Sequence, residues 1–241
     1  MVYLPPNYYI NTGKRYPVLY MHDGNNVFDR SKATYGNEWN ADETAEKLIK
    51  DGKIEEIIIV GIFNNSDRFR EYTPYPSGKY PGGKLRDYAD FIINDLKPII
   101  DRKFRTRSDA KNTAIAGSSL GGVASFYLAW WYPEVFSMAG VISPTLWWAD
   151  NAMFRDIESY SGSKKDLKIW IDMGKGEADC DPDKTGQWDP IKMCYELESY
   201  LEKKGYKEGV DVTVYIDKDA VHNEASWSKR FDKFLIFMFG K

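Results

Sequence analysis

Short apolar runs alternate along this chain with stretches of helical periodicity. Residues 16–21, 56–63, 113–116, 138–142, 167–173 and 212–216 are apolar runs of strand length, bounded by polar or glycine positions. Runs of this kind suit inner strands buried on both faces. Residues 1–6 read as a further strand ending in a turn. Helices are expected over 40–50, 85–104, the segment running up to Trp131, then 149–160, 191–204 and 224–239. Asn40 is placed as an N-cap and Gly205 as a C-terminal stop. In the 85–104 helix, Tyr88, Phe91, Ile92, Leu96 and Ile99 fall on one face, and Pro98 is expected to kink it or to mark its final turns. The alternation predicts an α/β fold: a mostly parallel central sheet with helices on both faces, in one domain over 1–241. Residues 64–84 are polar, aromatic and rich in Gly and Pro, a loop long enough to suggest function.

Composition narrows the classes. The 241 residues carry a net charge of −3, with 43% hydrophobic and 15% aromatic residues. That balance implies no nucleic-acid surface. The apolar runs are too short to span a bilayer. No secretory signal is visible, so a cytoplasmic setting is expected. Two cysteines, Cys180 and Cys194, and two histidines, His22 and His222, have no metal-site spacing. The cysteines are expected to be free thiols, with a disulfide between them as the alternative.

The sharpest local signal is Gly117-Ser118-Ser119-Leu120-Gly121, a G-x-S-x-G between an expected strand and an expected helix. That context marks a nucleophile elbow of the α/β-hydrolase fold. Only Ser119 has Gly at both flanking positions, and a side chain at either Gly is expected to collide with backbone. Leu120 N–H, at the start of the helix, can donate to an oxyanion. A serine needs a base, and His222 follows the last strand, in the order this fold requires. His22 is expected to shape its own turn instead. The acid should follow the strand at 167–173, and Asp172, Glu177, Asp179 and Asp181 are all in place. A second oxyanion donor belongs after the 16–21 strand, where Gly24 lets Asn25 N–H turn inward. All these candidates follow strands, so a parallel sheet brings them to one edge. Trp39, Trp147, Trp148, Trp188 and Trp227 fall in the same loops. Trp39, Trp147 and Trp148 are candidates for binding a sugar ring or aromatic acyl group, and Trp227 is expected to pack.

Several segments together carry a family resemblance: Tyr16 to Asp29, Ala116 to Tyr127, Ser143 to Trp148, and His222 to Trp227 with Arg230. The chain resembles the esterase D-like branch of the α/β-hydrolases. That branch includes feruloyl and acetylxylan esterases, enterobactin-type siderophore esterases, S-formylglutathione hydrolase and mycolyltransferases. The resemblance implies Ser119 as nucleophile, His222 as base, and Leu120 and Asn25 as oxyanion donors. It places the acid at Glu177, although Gly174-Lys175-Gly176 lacks the family's Thr. It implies no cofactor and no metal, and a small-molecule or carbohydrate ester as substrate. The expected activity is a serine carboxylesterase. An acyltransferase, a siderophore-ester hydrolase and a silent binding module are the alternatives.

Overall fold

The computed structural model describes residues 1–34, 36–78, 80–180 and 188–241, without the side chains of 178–180. Among the described residues, seven strands form one sheet: β1 (Val2–Tyr3), β2 (Val18–Met21), β3 (Ile58–Gly61), β4 (Thr113–Ser118), β5 (Met138–Ile142), β6 (Lys168–Gly174) and β7 (Val212–Asp217). Their order is β1-β3-β2-β4-β5-β6-β7. Only β1, at the edge, runs antiparallel to its neighbour; the other pairs are parallel. This is the α/β-hydrolase arrangement expected from the sequence.

Strand parity explains the two layers. Val18 and Tyr20 pack on one face, and Leu19 and Met21 on the other; Ile58 and Val60 are opposed in the same way to Ile57 and Ile59. Side chains alternate across a strand, so a continuous apolar run must be covered on both sides. The helices among the described residues are α1 (Ala41–Lys50), α2 (Arg68–Glu71), α3 (Leu85–Asp90), α4 (Lys97–Lys103), α5 (Leu120–Trp131), α6 (Trp148–Ser159), α7 (Pro190–Lys203) and α8 (Glu224–Phe239). Helices α1 and α8 cover the Leu19 face, while α3, α5, α6 and α7 lie on the Val18 face.

Three local expectations hold only in part, for physical reasons. Between α3 and α4 the chain is π-helical over Phe91–Leu96. Pro98 has no N–H to give and would press its ring on the preceding turn, and the widened turn relieves both. The π turn also rotates the apolar face: Phe91 and Ile99 are exposed, while Tyr88, Ile92 and Ile100 are buried. Asn40 is the N-cap residue of α1, as expected, but its side chain makes no capping bond: it sits at φ 48 and its amide donates to Ser228 Oγ at 3.0 Å. Ala149, Asp150 and Asn151 are left-handed, at φ 50, 53 and 61, so regular helix in α6 starts only after them. Arg155 holds this turn by donating to the Ala149 and Asp150 carbonyls, and Ala149 N–H donates to Ser77 Oγ.

Neighbours β2 and β4 straddle the point where strand order reverses, which is where ligand crevices open in such sheets. The loops after both strands meet there.

Candidate active site

Strand β4 delivers Ser119 on a backbone that few residues tolerate, with φ 59 and ψ −121. The strain is held in place because its N–H donates to Ile142 O at 3.0 Å and its carbonyl accepts from Gly122 and Val123. A Cβ at Gly117 would lie 3.0 Å from Gly121 backbone and from the His22 ring, as the motif predicts. Gly121 is different. Its nearest neighbour would be His22 Cβ at 3.4 Å, an ordinary contact. The helix–strand close approach falls on Gly122 instead, where a Cβ would stand 2.9 Å from Ile142 O. Ser118 is buried, whereas Ser119 borders a cavity of about 120 Å³.

That cavity is lined by Ser119, Thr145, Trp147, Glu177, Trp188 and His222, among others. Thus residues leaving β4, β5, β6 and β7 converge, as the strand-end argument requires. His222 Nδ1 lies 2.8 Å from Glu177 Oε2. Ser119 Oγ is 3.2 Å from Thr145 Oγ1, a partner the sequence did not single out.

Glu177 is 1% exposed, and its second oxygen is saturated with donors. Oε1 accepts from Ser143 Oγ at 2.8 Å, Gly174 N–H at 2.8 Å and Arg230 Nη2 at 3.2 Å. Burial alone would raise this carboxyl. Hydrogen bonding and charge from His222, then Arg230 and Ser143, outweigh it and hold Glu177 below the ordinary glutamate range. Asp172, the rival acid, points elsewhere. Its Oδ1 takes Arg230 Nε at 3.0 Å and Nη2 at 2.8 Å, and its Oδ2 takes Trp170 Nε1 at 2.7 Å. The Asp179 side chain and all of Asp181 lie outside the described residues, as does the Cys180 side chain; Cys194 is a buried free thiol.

Behind Glu177, Ser143 ties the layers together at φ 40. Its Oγ accepts from Trp227 Nε1 at 2.9 Å and Arg230 Nη2 at 2.6 Å while donating to Glu177. Sequence reading missed Ser143, Thr145 and Arg230 as site residues, although Ser143 to Trp148 and Arg230 belong to segments that stood out. Asn223 caps α8 by accepting from Ser226 N–H, which fixes the residue next to His222.

The loop after β2 is built around Asp23, at φ 54, and Gly24. A Cβ on Gly24 would meet Gly61 backbone at 2.4 Å, so only glycine fits against the end of β3. Arg68 grips both oxygens of Asp23, at 2.7 Å each. Asn25 follows Gly24 in a single 3₁₀ turn, its side chain donating to Asn26 Oδ1 and Thr34 Oγ1. His22 departs from the expectation that it shapes its own turn: it is buried, bonded through Nδ1 to Tyr88 OH on α3 at 3.0 Å, and packed beneath the elbow. Of the tryptophans, Trp147 and Trp188 line the cavity. Trp39 does not; it is 2% exposed, stacked on Trp227 at 5.5 Å. Trp148 is also buried, its Nε1 donating to Tyr75 O at 2.7 Å, so both are packing residues.

Residues 1–238 match the family model "Putative esterase". The chain belongs to this esterase family. Over 246 aligned residues, 100% of this esterase and 92% of the Bacillus subtilis protein YbbA, identity is 26%. Ferri-bacillibactin esterase BesA of the same organism is 26% identical over 210 residues, 80% of this chain and 70% of BesA. An endo-1,4-β-xylanase/feruloyl esterase of Xylanibacter ruminicola is 32% identical over 145 residues, covering 59% of this chain and 19% of that protein. Among solved structures, a ferulic acid esterase superposes with a TM-score of 0.73 at 18% identity, covering 99% of this chain and 90% of that one. This esterase is accordingly a carboxylic ester hydrolase of the α/β-hydrolase fold. No helix among its described residues is long and apolar enough to cross a membrane.

Proposed function

We propose that Ser119, His222 and Glu177 act as a triad and hydrolyse an ester through an acyl-enzyme. The observation that carries this reading is the cavity shared by Ser119 and His222, with Glu177 bonded to the far side of the imidazole. With Nδ1–H committed to Glu177, Nε2 takes the Ser119 proton as Oγ bonds to the ester carbonyl carbon. The oxyanion is received by Leu120 N–H, among the groups that open helix α5 and lack an intrahelical acceptor, and by Asn25 N–H from the loop after β2. His222 then passes the proton to the leaving alcohol oxygen. Water repeats the sequence, losing a proton to His222 and releasing the acid and Ser119.

The substrate we propose is an ester of a carbohydrate or other polar alcohol. A cavity of about 120 Å³ beside Trp147 and Trp188 suits a short acyl chain or one flat ring, since an engineered cavity of roughly 150 Å³ holds a benzene molecule. The xylanase/feruloyl esterase relative supports this reading. A siderophore ester is the second reading, supported by the match to BesA over 80% of the chain. An organophosphate should label Ser119 stoichiometrically, and Ser119→Ala should lose on the order of 10⁴ to 10⁶ in kcat. Label on another residue, or equal loss in Ser118→Ala, overturns the reading. Initial rates on acetyl, feruloyl and catecholate-siderophore esters then separate the two substrate classes. Product analysis with an added sugar acceptor tests acyl transfer.

A further inference from the structure

Behind Glu177 lies a buried charge cluster that the reaction steps above do not use. Arg230 and Asp172 are each 1% exposed, like Glu177. Resting on the triad reading above, we propose that Asp172 is a positioning residue that acts by charge: it takes up the Arg230 guanidinium, leaving the charge of Glu177 to His222.

The geometry favours this division. Arg230 gives Asp172 two bonds, from Nε at 3.0 Å and Nη2 at 2.8 Å, and reaches Glu177 with one at 3.2 Å. Burial pushes the Asp172 carboxyl up, opposed by Arg230 and Trp170. Its described partners settle which form fits: Arg230 Nε and Nη2, Trp170 Nε1 and Ser143 N–H are all donors. A protonated carboxyl would turn a donor toward donors, so the site is built for the anion. Two carboxylates and one guanidinium then sum to −1 while His222 is neutral, and to zero once it carries the Ser119 proton. Because the three charged groups are buried, that count shifts basicity at the partly exposed ring. Without the Asp172 charge, Arg230 turns its full charge on Glu177 and His222. The sum becomes zero before proton transfer and +1 after it, and His222 becomes a weaker base.

Other ionisable groups near His222 stay constant in this comparison. Among the described residues they are Glu224 on α8, bonded to Asn26 Nδ2 at 2.9 Å, the Asp23–Arg68 pair from the loop after β2 and α2, and the Cys194 thiol on α7, kept neutral by burial.

The test is NMR titration of the His222 ring in a Ser119→Ala background, which needs no turnover. The chain has only two histidines, and burial pushes His22 down to about 4, so the two resolve. Asp172→Asn should lower the His222 midpoint by about one pH unit, a tenfold loss of basicity. Arg230→Gln should raise it, because two carboxylates then face the ring. The double variant should return it to within about half a unit of the parent. In the Ser119 enzyme the rising limb of kcat/KM against pH should move the same way. A merely structural role would lower the melting temperature and leave the midpoint alone. An unchanged or raised midpoint in Asp172→Asn overturns the proposal. If one single variant does not fold, the sign of the shift in the other decides. If neither folds, the double variant must fold for charge pairing to stand. Failure here leaves Ser119 labelling untouched, so it is distinct from failure of the esterase reading.

Discussion

Glu177 shows how one side chain fixes another's protonation. Its Oε1 already accepts from Ser143, Gly174 and Arg230. In Glu177→Gln the amide oxygen must keep those three donors, so the NH2 turns to His222. Nδ1 then becomes an acceptor, Nε2 carries the proton, and the ring cannot take one from Ser119. The expected result is a fall in kcat of up to roughly 10⁴-fold with little change in KM. A loss confined to KM would refute this chain of contacts. Thr145 acts on Ser119 more weakly. A neutral hydroxyl pair contributes about 0.5–1.5 kcal/mol, so Thr145→Val should lower kcat/KM about threefold to tenfold and Thr145→Ser should retain it. Equal losses in the two variants would assign the effect to packing. The convergence of Ser119, His222 and Glu177 on one cavity was legible only in part: an elbow motif marks Ser119 and its place after the last strand marks His222, whereas local position left Glu177 one of four acids and the family resemblance alone singled it out. Thr145 and Arg230 were not legible, because their roles come from partners 26 and 53 positions away.

At the scale of elements, the join between β4 and α5 corrects the motif. The G-x-S-x-G pattern implies two equally constrained glycines, yet the tight contact passes from Gly121 to Gly122, where helix α5 crosses the backbone of β5. A consensus written around the serine does not contain that neighbour. Gly122→Ala should push the helix off Ile142 and cost about 1–3 kcal/mol in urea unfolding. Gly121→Ala should be neutral, or gain up to about 1 kcal/mol, because alanine suits a helix better than glycine. The opposite ranking would show that the elbow is closed by the motif glycines alone. The left-handed turn at 149–151 was equally illegible: none of its residues is Gly, and it is held by Arg155 from the helix it precedes. By contrast α8 was readable from end to end: the expected bounds 224–239 are those of the helix, and the Asn223 cap appears only in the structure.

For the whole molecule, acid stability should depend on a histidine outside the proposed triad. His22 lies beneath the elbow, where β2, β4 and α3 meet, and burial pushes it down to about 4, with Asp23 opposing and Arg68 reinforcing the shift. In the unfolded chain the same ring titrates near 6.5. Between those values the unfolded state binds more protons than the folded one, so stability must fall as pH falls. The contribution is fully present above about pH 6.5 and is lost progressively down to about pH 4, to an extent of about 3 kcal/mol. Glu177, held below the ordinary glutamate range, adds a loss of the same sign at still lower pH. Urea unfolding at pH 7.5 and pH 4.5 measures the slope. His22→Gln cannot titrate; it should start less stable at pH 7.5, having lost a packed ring, and should lose less on going to pH 4.5. A parallel drop in both proteins would mean that His22 is not the residue that acid must charge to open the fold.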